Sequence, residues 1–308
     1  MSFISEKFLS FISPECNRTE FLKQWLTDSN IPFTLIKLEG KTHFYIQFPK
    51  SAYSPKFRIK TLIAHYDRVK NVSGANDNSA SVYELICLAE KLLKTQRIHN
   101  TRIIFTDGEE VTEASECESF SAASSVATAQ GAYALAQHFR KAGLLNDDVF
   151  VFDGCGRGNT LVVSTAGKTN LGSRFFQQRM EELYNKMCRF AVKCSPENWI
   201  TAPVPYSDNA GFIASGVPAV AVTVLPSEEA TAYIQYLHKE KKLAENVMCR
   251  TVGSKAEDAA DHLLQQEKLP KTWRIMHTQF DNASTLTEDA FSLMGRLLET
   301  IAFSVEPL

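Results

Sequence analysis

The sequence lacks any long apolar run: nowhere does it offer the roughly 18 consecutive apolar residues that a membrane-crossing helix needs. A charge excess is missing too. With 33 Lys and Arg against 35 Asp and Glu, the formal net charge is −2. That balance makes no electrostatic case for nucleic acid or an anionic membrane as partner. Paired cysteines are also absent. Cys16, Cys87, Cys117, Cys155, Cys188, Cys194 and Cys249 are scattered, with no C-x-x-C pair. An odd, dispersed set argues against a disulfide framework and against cysteine-ligated zinc, leaving core residues or ordinary thiols. The opening "MSFISEKFLSFISPECNRTEFLKQWL" lacks the basic start, unbroken apolar stretch and small-residue cleavage site of a signal peptide. The expected location is therefore the cytoplasm. Internal repeats and low-complexity linkers are missing as well.

What is present is enough apolar material for a substantial core: 308 residues, 44% of them hydrophobic. Residues 3–28 have helical spacing, with Phe8, Ile12, Phe21, Leu22 and Trp25 as expected anchors and Pro14 as a break. "FTLIKLEG" and "THFYIQFP" read as antiparallel strands around Gly40 and Lys41, and "RIKTLIAHYD" as a third strand. "NDNSASVYELICLAEKLLKT" opens with N-cap residues and carries an apolar helical face through Val82, Leu85, Ile86, Ala89 and Leu92. "RIIFTDGEEV" is a buried strand running into a Gly and two glutamates.

The alternation then recurs. "GAYALAQHFRKAG" is a helix, "DDVFVFDG" and "NTLVVST" are strands, and "SRFFQQRMEELYNKMCRFAVK" is a long helix. "SDNAGFIASG" reads as a short helix, "VPAVAVTVLP" as a strand and "TEDAFSLMGRLLETIAFS" as a closing helix. This order predicts an α/β layer fold with a mixed, mostly parallel central sheet. One domain over residues 1–308 is the economical reading. Residues 111–130 read as a loop insertion, and about 240–275 as a second irregular stretch.

In open α/β sheets ligands bind beyond the carboxyl ends of the strands. The residues delivered there are His65 and Asp67, Asp77 at a loop-to-helix start, Glu109 and Glu110, Asp153, and late in the chain His277. Imidazole together with carboxylate oxygen suits zinc. His65 and Asp67 share a face at i and i+2, so Asp67 can accept from the imidazole N–H that faces away from a metal. Adjacent glutamates diverge in an extended chain. One can then ligate while the other serves as general base, the division of labour that metal-assisted hydrolysis requires. Singly, each residue has a plain structural reading: a strand-end His, a helix-capping Asp, two solvated glutamates. Their joint occurrence at strand and helix ends favours a site.

The ordered set "AHYD … GANDNSA … DGEE … VFD … PYSDNAGFIASGVPAV … HTQFDN" resembles the zinc-dependent aminopeptidases of metallopeptidase family 28, from about residue 60 onward. The resemblance implies a three-layer α/β/α sandwich and two zinc ions bridged by Asp77. It implies that His65 and Asp153 complete one site, Glu110 and His277 the other. Glu109 would be the general acid/base and Asp67 would orient His65. The implied substrates are peptides or small aminoacyl compounds. "SDNAGF" matches a family segment near the substrate pocket, and no catalytic role is assigned to Ser207 or Asp208. The chain departs from the pattern in "TDGEE", where members commonly carry "GAEE", and in the insertion after it.

"DGEE" and "HTQFDN" also resemble the glutaminyl cyclases, which share the fold and hold one zinc through equivalents of Asp77, Glu110 and His277; "GANDNSA" is aminopeptidase-like. The family-20 metallopeptidases and deacylases use a similar residue order but normally add a dimerisation domain. A non-catalytic peptidase-fold module would be expected to lose ligands. The Gly-rich "FDGCGRGNT" precedes a strand and not a helix, so it reads as a turn and not a phosphate loop. Cys155 is expected not to ligate. His43, His99, His138, His238 and His262 are expected in surface or packing roles.

Overall fold

In the computed structural model, which describes residues 3–110, 127–143, 146–167, 172–240, 243–244, 247 and 267–305, the described strands build one sheet. They are β1 (Phe33–Leu38), β2 (Lys41–Ile46), β3 (Lys60–His65), β4 (Thr101–Thr106), β5 (Asp148–Phe152), β6 (Thr160–Ser164), β7 (Trp199–Ala202) and β8 (Ala219–Leu225). Their order across the sheet is β1-β2-β4-β3-β5-β8-β6-β7. The central run β4-β3-β5-β8 is parallel, as is β6 with β7. The β1–β2 hairpin, β2 against β4, and β6 against β8 are antiparallel. The sheet is thus mixed and mostly parallel.

Helices cover both faces: α1 (Glu6–Phe11), α2 (Arg18–Asp28), α3 (Ala80–Lys94), α4 (Gly131–Lys141), α5 (Arg174–Cys194), α6 (Asp208–Ala214), α7 (Ser227–Lys239), α8 (Lys271–Ile275) and α9 (Glu288–Ala302). The period-2 alternation of the strands sorts side chains into two apolar layers. Leu62, Ala64, Phe150, Phe152, Val220 and Val222 face the layer formed with α1, α2, α3, α5 and α9. Ile63, Val149, Val151, Ala219 and Ala221 face the layer formed with α4, α6, α7 and Trp273 of α8. Residues of β3, β4, β5 and β8 are buried throughout, as strands covered on both sides must be.

Several helix starts carry a side-chain cap. The Ser5, Asn17 and Ser173 side chains accept backbone N–H bonds from Phe8, Glu20 and Phe176. Pro14 does separate two helices, but Phe21 is only partly buried, packing on the rim of the core with its ring tilted against Phe11 and edge-on to Trp25. A larger correction concerns the start of α3. The run Asn76–Ser79 does not cap it: Ser79 stands in helical conformation with no capping bond. Its hydroxyl instead joins Gly74 O at 2.6 Å and Arg18 Nη2 at 2.6 Å. Strand β7 and helix α7 were not anticipated. The expected insertion at 111–130 lies, up to residue 126, outside the described residues, as do most of 240–266 and His262.

Candidate metal centre

The parallel strands β3, β4 and β5 end side by side, and their following residues converge. His65 closes β3, Glu109 and Glu110 follow β4, and Asp153 follows β5. Asp77 comes from the loop before α3. Gly74 opens that loop with φ +56, and a Cβ there would stand 2.6 Å from the Asp77 carbonyl oxygen, so glycine is the residue that fits. The loop is pinned from several sides. Asp281 accepts the backbone N–H groups of Asn76 (2.8 Å) and Asp77 (3.0 Å), and Asn78 Nδ2 donates to Phe152 O at 2.8 Å. Gly156 N donates to Asn76 Oδ1 at 2.7 Å.

Arg18 of α2, itself buried, donates to the carbonyls of Tyr66 (3.0 Å), Asp67 (3.2 Å), Ser73 (2.9 Å) and Gly74 (3.3 Å). One guanidinium therefore binds the His65–Asp67 segment to the Asp77 loop. Nothing in the local pattern around "NRTEF" signals this, because every partner lies at least 48 residues away.

At the centre Asp77 lies between two imidazoles. Its Oδ1 is 3.3 Å from His65 Nε2 and its Oδ2 is 3.0 Å from His277 Nε2. His65 Nε2 is also 3.6 Å from Asp153 Oδ2, while its Nδ1 stands 3.6 Å from Asp67 Oδ1. His277 Nε2 is 3.1 Å from Glu110 Oε2. Two donor sets with metal-site spacing result, His65–Asp77–Asp153 and Asp77–Glu110–His277, and a third joins His65 with Glu109 and Glu110.

The two glutamates diverge. Glu110 turns to His277, whereas Glu109 Oε1 accepts from Gln130 Nε2 at 3.0 Å. Asp67 does more than face His65: its carboxylate accepts the backbone N–H of Glu109 (3.3 Å) and of Glu110 (2.9 Å). Asp107, the departure in "TDGEE", accepts Thr42 N at 2.9 Å and donates its own N–H to His43 Nδ1 at 3.2 Å. His43 and His99 are fully buried packing residues, and burial holds both near a pKa of about 4 and hence neutral.

The charge balance of the cluster tests whether a cation fits. Burial would lower the His65 imidazole, yet Asp153, Asp67 and Asp77 hold it well above its ordinary value. The same contest, won by Asp77 and Glu110, pushes His277 up to about 10. Burial works against Asp77 as well, but the two imidazoles keep its carboxyl well below the usual range. Burial and the neighbouring Asp77 push Glu110 up. Neither ring nitrogen of His65 nor either carboxylate oxygen of Asp77 makes a hydrogen bond, although all four atoms are buried. Buried polar atoms are rarely left so. A divalent cation between these donors would satisfy them and replace the charge now carried by ring protons, so the residues fit zinc.

Beside the cluster lies a small cleft lined by Asp77, Asp153, Val204, Pro205, Tyr206, Trp273 and Met276. Ser207 also lines it. Asp208, the next residue, is fully buried, accepting from Thr106 Oγ1 at 2.5 Å, and burial pushes its carboxyl up to about 7. The Cys155 thiol turns away and donates to Val222 O at 3.3 Å.

The fold is shared with solved structures at low identity. Legionella pneumophila LapA aminopeptidase is 14% identical with a TM-score of 0.59, over 98% of this chain and 70% of that one. A leucine aminopeptidase precursor from Bacteroides thetaiotaomicron is 14% identical with a TM-score of 0.58, over 97% and 96%. Tannerella forsythia glutaminyl cyclase is again 14% identical with a TM-score of 0.59, over 98% and 96%. None of the curated proteins matches the chain. Residues 49–302, which carry every side chain of the cluster, match the description "Peptidase family M28", a family of zinc-using enzymes; by that match the chain belongs to peptidase family M28.

Proposed function

We propose that this chain is an aminopeptidase that removes N-terminal residues from peptides, using zinc held by His65, Asp77, Glu110, Asp153 and His277. The observation that carries the reading is Asp77, whose two oxygens face different imidazoles and so complete two donor sets instead of one. Zinc bound there supplies Lewis acidity, making water easier to deprotonate near neutral pH and polarising a carbonyl oxygen. Glu109 takes the proton of the attacking water and delivers it to the departing amine. Gln130 fixes one Glu109 oxygen through its side-chain amide, and Asp67 fixes the turn that separates Glu109 from Glu110. The apolar lining of Val204, Pro205, Trp273 and Met276 favours an uncharged group beside the cluster.

The test is Glu109→Gln. Zinc content is expected to stay as in the parent protein while hydrolysis of aminoacyl anilides falls by about 10²–10⁴-fold. A variant that keeps its turnover takes Glu109 out of the proton-transfer role.

A second reading, cyclisation of N-terminal glutamine with one zinc on Asp77, Glu110 and His277, is favoured by the equal likeness to a glutaminyl cyclase and by "DGEE". Counting bound zinc and assaying N-terminal Gln cyclisation beside anilide hydrolysis separates the two. Two ions with hydrolysis support the first, one ion with cyclisation the second.

A further inference from the structure

The Gly-rich loop "FDGCGRGNT" holds no phosphate-binding geometry, yet its arginine is not idle. Arg157 Nη1 donates to Thr272 Oγ1 at 2.6 Å and stands 3.0 Å from Glu229 Oε1. The other oxygen of Glu229 accepts the Thr272 backbone N–H at 2.7 Å. A guanidinium and a carboxylate, from two segments distant in sequence, thus grip the hydroxyl and the backbone N–H of one fully buried threonine.

Thr272 sits in α8, a helix of only five residues. A helix this short does not hold itself in water, so its direction is set by what grips it. Two residues after its last, His277 stands at φ +62, and Trp273 and Met276 of the same segment wall the cleft. Helix α7 supplies a second hold one turn beyond Glu229: Tyr233 meets Trp273 edge-on at 5.0 Å. The Asp153 loop supplies another, because Gly154 lies so close under Met276 that a Cβ there would stand 2.5 Å from its terminal methyl.

From this arrangement we infer that Arg157 and Glu229 are positioning residues that set His277 and the Trp273–Met276 wall against Asp153, coupling one metal position to the shape of the substrate cleft. The inference rests on the metal-centre reading above. Loosening the clamp frees the His277 ligand and its wall together, and leaves the His65–Asp77–Asp153 set in place.

The test uses the full chain carrying Arg157→Met, Glu229→Met, both together, and Arg157→Lys. In metal-free protein, hydrogen exchange of the 271–277 segment is expected to rise in each Met variant, since the Thr272 N–H loses its acceptor or its neighbour. In zinc competition titrations one bound ion is expected to loosen by about 10–100-fold, the usual cost of removing a residue that orients a metal ligand, while the other keeps its affinity. For anilide substrates KM is expected to rise more than kcat falls. The double variant should be no worse than either single one, and Arg157→Lys, which retains charge but not the fork, should recover only part.

Failures separate cleanly. Wild-type protein that binds no zinc overturns the metal-centre reading. Wild-type protein that binds two ions, with variants that exchange faster at 271–277 yet keep both affinities and KM, overturns the clamp alone. Equal loosening of both ions together with a general loss of thermal stability also overturns it, since that is the signature of an ordinary structural contact.

Discussion

Replacing Glu84 by Met should make the protein more stable, and increasingly so as pH rises. Glu84 lies on the core face of α3, fully enclosed, and neither carboxylate oxygen has a hydrogen-bond partner. Burial pushes its carboxyl well above the ordinary value of 4.5. Two costs follow. An unpartnered buried polar group costs about 1–3 kcal/mol whatever its charge. The second cost depends on pH. Above 4.5 the unfolded chain releases this proton while the folded one keeps it, so the folded state binds more protons and its stability falls as pH rises toward the folded pKa. The slope is about 1.4 kcal/mol per pH unit within that window. Met has nearly the helix propensity of Glu and a similar length, so α3 itself should be little disturbed. Urea unfolding of both proteins in chelator at pH 5, 6 and 7 reads the difference, in which the other titrating groups cancel. The expected gap starts at about 1–3 kcal/mol in favour of the variant and widens as pH is raised from 5 to 7. A gap that stays flat, or a variant less stable than its parent, would show that Glu84 has a partner and that the argument fails.

Two more perturbations bear on the metal centre. With His277 pushed up to about 10 and His65 held well above its ordinary value, both rings of the metal-free protein are protonated at pH 7. Zinc requires neutral imidazole, so binding should release about two protons per molecule, measurable by calorimetry in buffers of different protonation enthalpy; release near zero would contradict the charge assignment. Arg18→Lys leaves most of the four carbonyls and the Ser79 hydroxyl without their donor. It should cost about 3 kcal/mol of unfolding free energy and weaken zinc retention, read by denaturation and by zinc content after dialysis.

Much of the architecture was legible because its signals are local. Strands β3, β5 and β8 are apolar runs bounded by polar residues, and the face of α3 repeats at helical spacing. The cluster residues stand where such strands stop, so their order along the chain foreshadowed their convergence. The omissions have physical causes. Helix α7 buries only Ala230 and Tyr233, too few for a periodic signal. Strand β7 is four residues on the sheet edge, mostly half-buried. Asn76–Ser79 has the composition of a cap, but long-range bonds from Arg18, Asp281 and Gly156 hold it in another form. Asp67 was expected to face one partner and serves three, because the return of β4 brings two backbone N–H groups within its reach.

The stretch shared with the peptidase family begins at residue 49, but the scaffold of the centre does not. Arg18 crosses that boundary to close the two loops that carry His65 and Asp77, and Thr42 of β2 donates to Asp107 just before the glutamate pair. Anyone trimming this chain to its recognisable portion would therefore remove a keystone and a buttress while leaving every proposed ligand in the sequence. Such a fragment should look complete on paper and hold metal poorly in solution.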